Sequence, residues 1–169
     1  MIDFFLSKIT VSVLSLSLVA LAIGYFLYFS DAAYEVKAKE VLNLITSRID
    51  EISAQNMEVR VLFVYNNSQG VQLPPKIGDQ YYTLEIGTRA VVIRLSGRHT
   101  FGYASYLHDQ VYPFNPHLLD GKKVTSEMLH KYQMNHTPLI SHTQAFYVER
   151  KYMLVEGLWQ YVTFVYLKD

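Results

Sequence analysis

Residues 8–29 read KITVSVLSLSLVALAIGYFLYF, and the 21 positions from Ile9 to Phe29 carry no charge. An α-helix rises 1.5 Å per residue, so crossing a hydrocarbon core of roughly 30 Å takes about 20 apolar residues. The stretch has that length. Ser12, Ser15 and Ser17 do not spoil it, because a helical serine can donate to a carbonyl one turn earlier. Tyr25, Tyr28 and Tyr34 gather at the distal end, and aromatic rings favour the membrane–water boundary. Three readings stand: a retained anchor, a segment processed near Lys8 whose apolar helix packs with other subunits, and a cleaved secretory signal with small residues at Ser30 and Ala32. The apolar core of a signal is typically about 7–15 residues. This run is longer, which puts the anchor first and the signal last.

Beyond Phe29 the chain continues SDAAYEVKAKEVLNLITSRIDEISAQN, with no Pro or Gly to interrupt it. Ala38, Val41, Leu42, Ile45, Ile49 and Ile52 recur at spacings of three and four, which makes one apolar stripe on a helix. Glu35 and Lys39 form a favourable i,i+4 pair off that stripe. The spacing predicts a single helix from about residue 4 to about residue 54. Its stripe is expected to pack on the chain's own sheet, with a contact to another subunit as the alternative. The helix-packing residues are therefore Val41, Ile45, Ile49 and Ile52, joined inside the apolar run by Ala20 and Gly24. These last two form a small-xxx-small pair that permits close helix approach.

From Met57 the period changes to two. MEVRVLFVY reads as a strand ended by the turn-forming NNSQG. VQLPP leads through KIGD into QYYTLEI, then RAVVIRL, then HTFGYASY. Turns this short predict an antiparallel meander. Residues 107–142 are less regular and hold Pro113, Pro116, Gly121 and Pro138. Within them TSEMLHKYQM predicts a short helix capped by Thr125 or Ser126. The chain closes on a hairpin turning at Glu156-Gly157, and Trp159 is expected as a core or rim aromatic. The fold class is α+β: a long N-terminal transmembrane helix with an amphipathic extension, then a small antiparallel β-sandwich-like domain. The corresponding segments are 1–29, 30–56 and 57–169.

The succession of a long apolar helix, the extension AAYEVKAKEVLNLITSRIDEI and a β-domain containing VQLPPKIGDQYYTLEI resembles archaeal pilin-like and archaellum-accessory-like membrane proteins. The resemblance in architecture covers most of the chain, and the motif similarity covers residues 71–86. It implies an exterior β-domain, an inside N-terminus and incorporation into a surface filament or envelope complex. One departure stands out: counting from Ile9, the fifth residue is Val13, where many pilins carry Glu.

Composition narrows the function. Lys+Arg and Asp+Glu balance at 15 each, so the basic footprint of a nucleic-acid binder is missing. Cysteine is absent, which excludes disulfides, thiol nucleophiles and Cys-based zinc sites. Of the 14 tyrosines, 11 follow residue 56, a bias that suits half-buried strands. His99, His108, His117, His130, His136 and His142 cluster but lack the close ligand pairs of a zinc site. They read as loop histidines, and no metal or other cofactor is expected. No nucleophile elbow or phosphate loop occurs. Asp50 and Glu51 read as a solvated helix face, and Arg150 belongs to a basic run too short to be a patch.

SYLHDQVYPFNP offers Tyr106, His108, Tyr112 and Phe114 as a candidate ligand loop. Asn66 and Asn135 head N-x-[ST] sequons that point outward. Lys8 before the apolar run, with Asp31 and Glu35 after it, favours an inside N-terminus by the positive-inside rule. The resulting expectation is a single-pass, non-enzymatic cell-surface protein, pilin-like or an envelope subunit, with lipid and other protein subunits as partners. A monomeric anchored ligand-binding or sensor module is the alternative. A metal-dependent enzyme using the clustered histidines comes third.

Overall fold

The structure, a computed structural model, describes residues 2–65, 69–96, 102–135, 139–141 and 143–168. Helix α1 spans Ile2–Ser53. It contributes to two compact units, Met1–Val36 and Lys37–Asp169.

In the first unit, the described residues are helix alone. Large apolar side chains from Val11 to Phe29 remain 46–74 % exposed. The serines are satisfied on the helix itself: Ser15 Oγ donates to the Val11 carbonyl at 2.8 Å and Ser17 Oγ to that of Val13 at 2.9 Å. Neither hydroxyl therefore needs water, which is the condition for placing serine in an apolar medium.

The second unit begins with the amphipathic part of α1 and continues, among the described residues, into nine strands. In chain order these are β1 (Val59–Tyr65), β2 (Val71–Leu73), β3 (Tyr81–Ile86), β4 (Ala90–Ser96), β5 (Gly102–Tyr106), β6 (Val111–Tyr112), β7 (Leu139–Ser141), β8 (Phe146–Val155) and β9 (Leu158–Leu167). They form two sheets, ordered β2-β1-β8-β9-β6 and β5-β4-β3-β7. Most pairs are antiparallel, including the β3–β4–β5 meander. β1–β2 and β6–β9 are parallel, which the antiparallel expectation did not include. Both exceptions involve strands of two or three residues, too short for their own period to declare a direction.

The stripe on α1 is consumed here. Ala38, Leu42, Ile45 and Ile49 are at most 1 % exposed, and Val41 and Ile52 are buried. The helix stops where three side chains from the large sheet meet its last residue and the short segment that follows it. Ser53 Oγ donates to Thr163 Oγ1 at 3.1 Å, Arg150 Nε donates to the Gln55 carbonyl at 2.5 Å, and Tyr161 Oη donates to the Asn56 carbonyl at 2.9 Å. The two carbonyls held this way lie just past the helix end, and β8 and β9 supply their donors, Arg150 and Tyr161. The sheets meet through Tyr65 and Tyr82, edge to face with ring centroids 6.0 Å apart. Tyr82 is fully buried, and its hydroxyl is satisfied by the Pro74 carbonyl at 2.6 Å.

The irregular stretch covers the other face of β8–β9. Helix α2 (Ser126–Asn135) and a 3₁₀ turn at Pro116–Leu119 enclose a cluster of Phe114, Leu119, Leu129, Val155, Val162 and Phe164. The start of α2 is capped twice. Thr125 Oγ1 accepts from Met128 N at 3.2 Å, and the Glu156 carboxylate accepts from Ser126 N at 3.1 Å. Glu156 reaches that amide from the β8–β9 turn with φ 54°, followed by Gly157 at φ 85°. Positive φ at both central residues is the turn whose twist matches a two-residue hairpin.

Leu44 and Ile45 are adjacent on α1 but 40 % and 0 % exposed respectively. Ile45→Ala should cost about 2–5 kcal/mol of domain stability, and Leu44→Ala within about 1 kcal/mol. Denaturant unfolding of the full chain in mild detergent reads both. A cost of Ile45→Ala that varied with protein concentration would assign the stripe to another subunit.

Candidate functional site

The four residues of the expected ligand loop do not share one surface. Phe114 is 2 % exposed and sits 5.4 Å from the rings of both Tyr132 and Phe164. It is a core residue, because the strand and turn around it fold down onto the sheet. Tyr112 is half-buried against Phe164, with centroids 6.0 Å apart. Tyr106 is 81 % exposed at the end of β5. His108 is exposed too, yet committed: its backbone N–H and Nδ1 both meet the Asp50 carboxylate, at 3.0 and 2.8 Å. Asp50 is thus not a merely solvated residue of the helix. Its neighbour Glu51 pairs with Arg48 on the exposed face.

The described histidines do not assemble. His117 pairs with Asp120 at 2.9 Å, and His130 is exposed on α2. Among the described residues no group of three metal-ligating side chains comes together. His99, His136 and His142 lie outside the described residues, as does Asn66. Asn135 is the last residue of α2. Of the helix-packing residues, Val41, Ile45, Ile49 and Ile52 are buried within the domain. Ala20 is exposed, and nothing lies within 4 Å of a Cβ built on Gly24.

A different place gathers unsatisfied chemistry: the turn-proximal end of the β8–β9 hairpin. Cross-strand register puts Leu154 opposite Trp159 and Tyr152 opposite Tyr161. Tyr152 stacks on Trp159 with centroids 5.2 Å apart and touches Tyr161 at 4.7 Å. This face is open, with Trp159 62 %, Leu154 45 % and Tyr152 44 % exposed. Trp159 is therefore not a core residue.

Beside it lies an open cleft of about 260 Å³. One wall is Asp109, Gln110 and Tyr112, and the other is Gln160 to Thr163 on β9. Arg150 lines the same cleft. The residue is half-buried, and its guanidinium donates to Thr163 Oγ1 at 3.2 Å through Nη1 and lies 5.2 Å from the Tyr161 ring centroid. Among the described residues no carboxylate is within ion-pair distance of Arg150.

Reading Arg150 as part of a short basic run missed this site, because the run gave no depth to the charge. The hairpin register offered the one usable signal. A turn at Glu156-Gly157 already places Tyr152, Leu154, Trp159 and Tyr161 on one face.

The chain matches no protein-family model, no curated protein and no solved structure.

The His108–Asp50 contact has a readable pH dependence. The hydrogen bond to Asp50, then that carboxylate's charge, raises His108 above the usual histidine value, with Asp109 adding to it. A raised folded-state value stabilises fully below the unfolded value of about 6.5 and is lost as pH rises through the folded one. The thermal midpoint should therefore fall across that window, and Asp50→Asn should flatten the fall. A midpoint scan from pH 5 to pH 8 of both proteins measures it.

Proposed function

We propose that this is a single-pass, membrane-anchored protein that acts through protein contacts and is not an enzyme. In this reading the N-terminus lies inside and the two sheets form a sandwich-like recognition domain outside. The observation that carries the reading is the uncharged helical surface from Thr10 to Phe29. Its most apolar 18-residue window is 0 % buried. Covering one Leu or Phe side chain is worth about 1.5–3 kcal/mol, so this surface favours lipid or apolar partners over water.

An envelope or pilus-like subunit is the form that best unites the long helix with the β-domain. Because Val41, Ile45, Ile49 and Ile52 are already buried in the domain, bundle packing would use residues 9–29, where Ala20 and Gly24 allow close approach. An anchored, monomeric binding module is the second reading, and the cleft beside Arg150 favours it.

The chain has no cysteine, so a single engineered thiol reports topology cleanly. Lys123→Cys should be modified by a membrane-impermeant maleimide in intact cells, while the protein stays in the carbonate-washed membrane pellet. Protection of that thiol, or release of the protein by carbonate, would reject the reading. Intact mass divides its two forms: retention of Met1–Lys8 identifies a plain anchor, and their loss a processed subunit.

A further inference from the structure

We infer that the β9 edge between Leu158 and Tyr161 is a docking site for an extended peptide segment bearing an acidic side chain. The inference deepens the protein-contact reading and rests on it for the class of ligand, but not on the membrane placement.

Backbone geometry comes first. In a hairpin closed by a two-residue turn, the pair flanking the turn exchanges hydrogen bonds, and the pairs then alternate. Val155–Leu158 is that flanking pair. Trp159 and Tyr161 therefore turn their N–H and C=O groups away from β8. The same alternation turns Tyr152 N outward from β8, and it does donate outward, to Glu58 Oε1 at 2.9 Å. That side chain occupies the β8 edge. On the β9 side, β6 pairs only with Thr163 and Phe164. Toward the turn, the chain before β6 parts from β9, and the cleft opens there. Among the described residues nothing bonds the outward groups of Trp159 and Tyr161. A row of unpaired strand groups is a template for another strand.

Charge and surface then specify the occupant. Arg150, a half-buried residue, lines this cleft without a carboxylate partner among the described residues, so a carboxylate carried by the incoming strand complements its charge. Side chains alternating along that strand would meet Trp159 and Tyr161 on one face, and these favour β-branched or apolar neighbours. Asp109 on the opposite wall disfavours a second acidic group nearby. Four residues of edge span about 13 Å, which suits a short linear segment better than a whole sheet.

The test uses the full chain in mild detergent. The probes are fluorescein-labelled octapeptides of alternating Thr and Val with one Glu moved through each position. Fluorescence anisotropy should saturate for at least one peptide below about 1 mM. Replacing its Glu by Lys should weaken binding at least about tenfold, as should Arg150→Gln. N-methylation of alternate peptide residues should abolish binding in one phase and spare it in the other, which tests strand pairing without altering the protein. Trp159→Pro removes an outward N–H that the hairpin does not use and should abolish binding. Trp159→Thr keeps that N–H and should retain binding within about tenfold.

No saturation by any peptide overturns the inference, as does equal binding of the Glu and Lys forms. Equal loss in the Pro and Thr variants would also overturn it, since that marks a ligand that stacks on the indole. A dimer in detergent that Trp159→Pro converts to monomer would assign the edge to a second copy and overturn it likewise. None of these outcomes bears on maleimide labelling, so the two readings fail separately.

Discussion

The burial of the α1 stripe within the domain, with the helix end held on β8 and β9, is the constraint from which the domain follows. Its apolar stripe supplies the area, and Ser53–Thr163, Arg150–Gln55 and Tyr161–Asn56 set where the helix ends. The division of labour is physical. Burial of Leu42, Ile45 and Ile49 is non-directional and tolerates sliding. Hydrogen bonds with Thr163, Arg150 and Tyr161 require particular atoms and therefore fix the axial position. All three of those side chains come from the β8–β9 hairpin, whose turn-proximal end carries the open aromatic face. The same side chains that stop the helix also line the cleft.

That double duty explains the character of the cleft. Arg150 is held by a backbone carbonyl and a hydroxyl, both neutral. Neutral acceptors orient a guanidinium without cancelling its charge. A carboxylate in their place would have made an ion pair and an inert site. Glu156 shows the opposite use of charge, since its carboxylate caps α2 and its own value is lowered by the Ser126 hydrogen bonds. A turn residue in a left-handed conformation is normally Gly, Asn or Asp. Here a glutamate holds it because its side chain is tied to another element. The hairpin turn and the α2 cap thus form one unit, leaving the strand edge beyond it open.

The two compact units differ in how they treat their apolar side chains. Lys37–Asp169 buries its apolar side chains in the way of a water-soluble domain, with fully buried Phe63, Tyr82, Phe146 and Phe164. Residues 10–29 leave theirs uncovered. One continuous helix carries both patterns, and only the distribution of apolar residues around its axis changes. In the apolar run every face is apolar, whereas beyond Asp31 a single stripe is.

Much of this was legible in the residues. The uninterrupted apolar run, the three-and-four spacing of Ala38 to Ile52, the β3–β4–β5 meander and the closing hairpin are local, periodic signals that a chain displays without folding. The α2 cap was legible as Thr125 or Ser126 for the same reason, and the fold uses the Thr125 hydroxyl. Tertiary structure decided the rest. Phe114 looks like a loop aromatic until the chain folds back and buries it under α2. Asp50 looks solvated until His108, far along the chain, arrives beside it. Arg150 gains meaning only where α1, β9 and the segment before β6 converge. The physical reason is common to all three. Periodicity records which face of an element is apolar, but which polar group meets which depends on loop closures between distant residues, and these leave no period in the sequence.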